Sequence, residues 1–144
     1  MFSFKKSERI TSLKDTDALF DKQHGSVGIS AFPLRAIYRK IPLSYNSTTI
    51  PVEPIKVLVS VAKKRLHHAV DRNRAKRQIR EAYRLQRLPL KEKLLSLPND
   101  NQCSLHIAFL WLSNTPQSSQ LVAKSMKKLL ATIEQKLTTN ENLG

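Results

Sequence analysis

Apolar residues recur along this chain with two different periods, and each change of period marks a boundary between elements. Ser12 followed by Asp15 is a capping-box pattern, and Leu13, Leu19 and Phe20 come at spacings that share one helical face. A short first helix is expected over residues 12–23, closed by His24 and Gly25. Residues 32–41, FPLRAIYRKI, alternate imperfectly, with Leu34, Ala36 and Tyr38 on one side and Arg35, Ile37 and Arg39 on the other. That is the pattern of a strand with one wet face. Residues 42–54 are rich in Ser, Thr, Asn and Pro and predict a long loop with room for one short strand. Residues 55–62 then form a β-branched run in which Val57, Val59 and Val61 share a face, predicting a strand that ends at Lys63.

The period changes to that of a helix over residues 71–87. Ala75, Ile79, Ala82, Tyr83 and Gln86 form one face, while Asn73, Arg77, Arg80, Arg84 and Arg87 stack on another at spacings of three and four. Residues 90–97 add a short helical extension, residues 104–112 predict a third strand, and Pro116 with Ser118 opens a final helix. Val122, Met126, Leu129, Leu130, Ile133 and Leu137 make an apolar stripe on that helix, which must pack on the sheet. The expected fold class is α+β: a single-domain α/β sandwich over residues 1–144, with three helices and a small sheet of about three to four strands. Polar tails are expected at about residues 1–11 and 138–144.

Charge changes the picture from fold to partner. The chain has 25 Lys and Arg against 11 Asp and Glu, a net charge of +14, which calls for a polyanionic partner. Residues 63–93 concentrate it, with 12 Lys or Arg against Asp71, Glu81 and Glu92. Like charges at helical spacing repel by roughly 0.2–0.5 kcal/mol per pair, so such a face is stabilised when phosphates neutralise it. Arginine dominates, and its planar fork suits phosphate oxygens. Asp71, just ahead of the cluster, is accounted for by the helix N-terminus. No apolar run is long enough to span a membrane and no apolar segment follows Lys5 and Lys6, so a soluble, cytoplasmic protein is expected. Cys103 is the single cysteine, which rules out an internal disulfide.

The motifs S-V-A-K-K (60–64), H-A-V (68–70), R-N-R-A-K-R (72–77) and I-R-E-A-Y (79–83) resemble the signature of the protein component of bacterial ribonuclease P. The resemblance is dense over residues 55–88 and extends to the rest of the chain in pattern and order only. It implies an unusual left-handed βαβ crossover carrying the basic helix, against the general preference for the opposite hand. It further implies an accessory subunit that assists a catalytic RNA in removing the 5′ leader of precursor tRNA, with Mg²⁺ held by the RNA and no cofactor on the protein. By the resemblance, Arg72, Asn73, Arg74, Lys76, Arg77, Arg80 and Arg84 would contact the catalytic RNA. A cleft between the first helix and the sheet would hold the single-stranded leader, with Phe20, Tyr38, Ser60, Lys63 and Lys64 as its residues. Glu81 is expected to pair with Arg77 or Arg84. The chain departs from the family at Thr16, where many relatives carry Phe, and at His67 and His68.

Other functions fit less well. A protein nuclease needs gathered carboxylates, and here the acids are scattered without HExxH, DxD or Cys-His spacing; GxxxxGK[ST] is also absent. His67 and His68 diverge by about 100° on a helix and make poor joint ligands. His106 sits in an apolar strand and reads as structural, as do Cys103, Tyr83 and Trp111. A helix-turn-helix DNA reader needs a helix just before the basic one, where a strand is expected, so DNA is not an expected partner. Ala75, Ala82 and Gln86 are too shallow a face for a membrane surface. The alternative that charge alone leaves open is a ribosomal or other structured-RNA-binding protein without nuclease association.

Overall fold

The alternation of residues 34–39 becomes a strand with a closed inner side: Leu34, Ala36 and Tyr38 are buried, and Arg35, Ile37 and Arg39 are half-buried. The computed structural model describes residue 20 and residues 26–42, 55–96 and 103–139. Among these residues the strands are β1 (Val27–Ala31), β2 (Leu34–Pro42), β3 (Ile55–Ser60) and β4 (Cys103–Trp111). The helices are α1 (Ala69–Gln86), α2 (Leu88–Leu95) and α3 (Ser119–Thr139). The expected first helix over residues 12–23 and the loop over residues 43–54 lie outside the described residues, apart from the helical position Phe20.

The four strands form one sheet in the order β1-β2-β4-β3. β1 and β2 pair antiparallel, as do β2 and β4, while β3 and β4 are parallel. Parallel neighbours need a crossover, and α1 with α2 supplies it between β3 and β4. β4 lies between two strands, which is why its centre, Leu105 to Phe109, is buried on both faces and is apolar apart from His106. The helices pack together over one face, α1 and α2 against α3, with α3 on β1 and β2. The main core lies between these layers and takes in the whole α3 stripe, from Val122 to Leu137. Tyr83 on α1 meets Phe109 on β4 with ring centroids 5.8 Å apart and planes tilted by 51°. Such pairs contribute about 0.5–1.5 kcal/mol beyond area burial.

Local boundaries differ from the expectation for physical reasons. The fourth strand among the described residues is β1, before β2; the room for a short strand in the 42–54 loop falls almost wholly outside the described residues. The β1 sequence VGISA is short and carries Gly28 and Ser30, so only pairing with β2 makes it a strand. Phe32 and Pro33 form the turn between them, with a cis peptide bond, so β2 starts two residues later than the alternation suggests. β3 ends at Ser60 because the chain turns at Ala62, whose carbonyl accepts from the backbone N–H of Arg65 at 3.0 Å and of Leu66 at 3.3 Å. α3 has the expected cap: the Ser118 hydroxyl accepts from the Leu121 N–H at 3.1 Å.

α1 is docked by two glutamines as well as by its apolar residues. The Gln78 amide donates to the Gln117 carbonyl at 2.9 Å and the Ser119 hydroxyl at 3.1 Å, and Gln86 donates to the Ala123 carbonyl at 3.0 Å. These bonds run from α1 to the start of α3, on the side of the helix that carries its buried residues.

Candidate nucleic-acid interface

The rotation set by Ala75, Gln78, Ile79, Ala82 and Tyr83 leaves Asn73, Arg74, Arg77 and Arg80 exposed on the outer face of α1, with Lys76 half-buried beside them. This is the cationic face expected from the spacing. Arg72 and Arg84 have partners inside the protein. Arg72 is half-buried, and its Nη1 donates to the carbonyls of Leu66 at 3.0 Å and His67 at 2.8 Å. Arg84 makes a two-pronged pair with Glu81, Nη2 to Oε1 at 2.5 Å and Nε to Oε2 at 3.3 Å. That hydrogen bond holds the Glu81 carboxyl below its ordinary pKa and raises that of Arg84. Glu81 thus pairs with Arg84, one of its two expected partners.

The connection from β3 to α1, residues 61–68, is a second cationic element. Leu66 is buried and plugs it into the core, and the Arg65 Nη1 donates to Asn114 Oδ1 at 3.3 Å. With the turn at Ala62 and the Arg72 bonds, these contacts fix a loop that leaves Lys63, Lys64, His67 and His68 exposed. Asp71 lies in the first turn of α1, as the helix dipole favours.

The sheet face opposite the helices is the third. Register aligns Ile37 with Ala108 and Ala108 with Leu58, a small apolar patch separate from the main core. Arg39 and Lys56 flank the buried His106 in register, and Ser60 lies beside Leu110, which pairs with Arg35. Arg35 crosses Gly28 and donates to the Ser30 hydroxyl at 3.0 Å. A Cβ at position 28 would stand 2.4 Å from its Nη2, so glycine leaves room for that guanidinium.

Among the residues expected to hold a leader, the structure brings Ser60, Lys63 and Lys64 to one end of β3, and Phe20 is exposed. Tyr38 is separated from them. The residue is 4% exposed and belongs to the helix-side core, since it shares strand parity with Leu34 and Ala36 and not with Arg35 and Arg39. It is therefore a core residue, with no open ring face for a base; burial also pushes its phenol above the ordinary value near 10. Lys56, Arg35 and Arg39 were not expected at the site, although the alternation already placed Arg35 and Arg39 on the wet side. Lys56 follows from the same parity, as the neighbour of inward Val57. Among the described residues no group of three His, Cys, Asp or Glu is placed to hold a metal ion. No described helix is long and apolar enough to cross a membrane.

Comparison with known proteins places this surface in a family. The family model described as Ribonuclease P matches residues 4–134. The ribonuclease P protein component of Porphyromonas gingivalis is 35% identical over 135 residues, covering 92% of this chain and 87% of that protein. That of Chlorobaculum tepidum is 41% identical over 70 residues, covering 45% and 46%. The fold is similar to the solved RNase P protein of Staphylococcus aureus, with TM-score 0.60, 17% identity and coverage of 89% of this chain and 96% of that one. It is also similar to that of Thermotoga maritima, with TM-score 0.58, 18% identity and coverage of 87% and 96%. An α+β chain whose cationic helix bridges two parallel strands, matched by the family model over nearly its whole length, belongs to the ribonuclease P protein family.

Proposed function

We propose that this ribonuclease P protein acts as the accessory subunit of the holoenzyme, binding the catalytic RNA through α1 and the 5′ leader of precursor tRNA through the sheet face and the 61–68 loop. The observation that carries this reading is the division of the cationic surface. Asn73, Arg74, Arg77 and Arg80 stand on a helix face, whose side chains reach phosphates of a folded RNA as it passes. Ser60, Lys56, Lys63 and Lys64 belong to a strand and the loop that continues it, suited to tracking one extended strand. Both surfaces are held by internal bonds before any RNA arrives, so little ordering cost falls on binding. Phe20 is exposed and adds an aromatic for stacking on an unpaired base.

In this reading the chemistry of phosphodiester hydrolysis belongs to Mg²⁺ bound by the RNA, and no residue of this chain has a catalytic role. The protein lowers electrostatic repulsion between two RNAs and holds the substrate in register, which matters most when Mg²⁺ is scarce. The test is multiple-turnover cleavage of precursor tRNA by the cognate catalytic RNA at low Mg²⁺, with and without this protein and beside a protein-only control. Cleavage at the mature 5′ end that requires both components is the expected result. RNA binding without stimulation would return the ribosomal reading, and cleavage by the protein alone would reassign the chemistry to this chain.

A further inference from the structure

We propose that Phe32, at the tip of the β1–β2 hairpin, is a stacking platform for an unpaired nucleobase, an RNA contact additional to those of α1 and the leader track; this rests on the subunit reading above. Phe32 is 60% exposed, more than Phe20, the other exposed aromatic among the described residues. The turn that carries it is fixed from two sides. Its own carbonyl accepts from the Ser125 hydroxyl of α3 at 2.6 Å, and the next carbonyl, that of Pro33, accepts from the Leu112 N–H at 2.8 Å. A ring on so constrained a backbone loses little entropy when a base covers it.

Its surroundings favour an anion-bearing partner. Register sets Leu34 beside Trp111 and Ser60 beside Leu110, so the hairpin tip, the end of β4 and the end of β3 share one end of the sheet. The Arg65–Asn114 bond then ties the basic loop to the segment that follows β4, two residues beyond Leu112. Within that segment the Ser113 hydroxyl donates to the Thr115 carbonyl at 2.7 Å and accepts from Gln117 Nε2 at 2.8 Å, which stiffens it. At this end of the sheet the strands and the loop after β3 carry Arg35, Lys63, Lys64 and Arg65, and residues 26–38, 57–70 and 107–118 contain no Asp or Glu. An acidic protein surface would be attracted as well, but an exposed aromatic at the same end of the sheet as these cations is matched in both respects by a nucleotide: phosphate for the cations and a π-face for the ring.

The test compares the wild type with F32A, F32L and F32W in the reconstituted holoenzyme, with two arms that separate the source of the base. One arm measures affinity for the catalytic RNA alone; the other measures holoenzyme affinity for precursor tRNA with its leader against mature tRNA. In at least one arm F32A and F32L are expected to lose about five- to hundredfold, with F32W near wild type and the salt dependence unchanged, because stacking releases no counterions. Loss in the first arm assigns the base to the catalytic RNA, and loss confined to precursor assigns it to the leader. Wild-type affinity of F32A in both arms, or wild-type affinity of F32L, would overturn the proposal. Thermal unfolding of each variant identifies a folding defect, and failure of wild-type protein to stimulate cleavage would sink the subunit reading and not this one alone.

Discussion

The Arg72 guanidinium donates to the carbonyl of His67 at 2.8 Å, from inside the motif whose other arginines face solvent. The same nitrogen reaches Leu66, so a residue of α1 holds the loop that precedes it. Substitution should therefore act on loop order and not on the number of phosphates neutralised. Arg72→Ala should weaken binding to the catalytic RNA while leaving the slope of log affinity against log salt unchanged, and should speed amide exchange in residues 62–68 of the free protein. Arg77→Ala should instead flatten that slope by about 0.7–0.9 for each phosphate it no longer neutralises. A flattened slope for Arg72→Ala would show that it grips phosphate directly.

Glu81 draws Arg84 away from incoming phosphates. Glu81→Gln should remove the carboxylate that competes with phosphate for that guanidinium, raising affinity for the catalytic RNA and steepening the salt slope by up to the value of about one neutralised phosphate. The pair is exposed and separated by three residues on one helix, so the effect on thermal stability should be small. Titration of RNA binding across salt concentrations distinguishes this from a general gain in folding, since a stability effect would leave the slope alone.

Tyr38 gives a pH signature. Burial raises its phenol above the ordinary value near 10, so folding favours the neutral form. Its contribution to stability is fully present below the unfolded value and is lost as pH rises through the folded one. Difference absorbance titration of wild type against Tyr38→Phe should show the Tyr38 phenol ionising above the ordinary value, and the substitution should soften the loss of stability at alkaline pH. The same variant should keep wild-type preference for leader-bearing precursor. A loss of that preference would return the ring to the leader track.

Core packing sets the angle of the cationic face. Ile79 is fully buried on α1, and Ile79→Ala should cost about 2–5 kcal/mol in a denaturant titration. Gln78→Leu should cost less in core packing but leave the Gln117 carbonyl and Ser119 hydroxyl without that donor. If the glutamines fix the rotation of α1, this variant should lose RNA affinity beyond what its change in stability accounts for. Equal loss in a variant destabilised elsewhere to the same extent would argue against it.

Periodic features were legible in the residues themselves. The two faces of α1, the α3 stripe and the wet and dry sides of β2 each repeat within one element, so hydrophobic pattern alone specifies them. The strand parity of Tyr38 was legible too: the alternation puts it with Leu34 and Ala36, and only the family resemblance suggested a leader contact. The charge concentration that calls for RNA is likewise a property of order along the chain. Tertiary structure decided what depends on residues far apart. β1 exists because β2 pairs with it, and the neighbouring parallel strands β3 and β4 meet only after the α1–α2 crossover is complete. The partners of two of these arginines were decided in the same way: Arg72 is captured by carbonyls that a loop folds toward it, and Arg84 by Glu81, which had two candidate partners. Pattern gives each side chain a face; only the packed backbone gives it a hydrogen-bond partner.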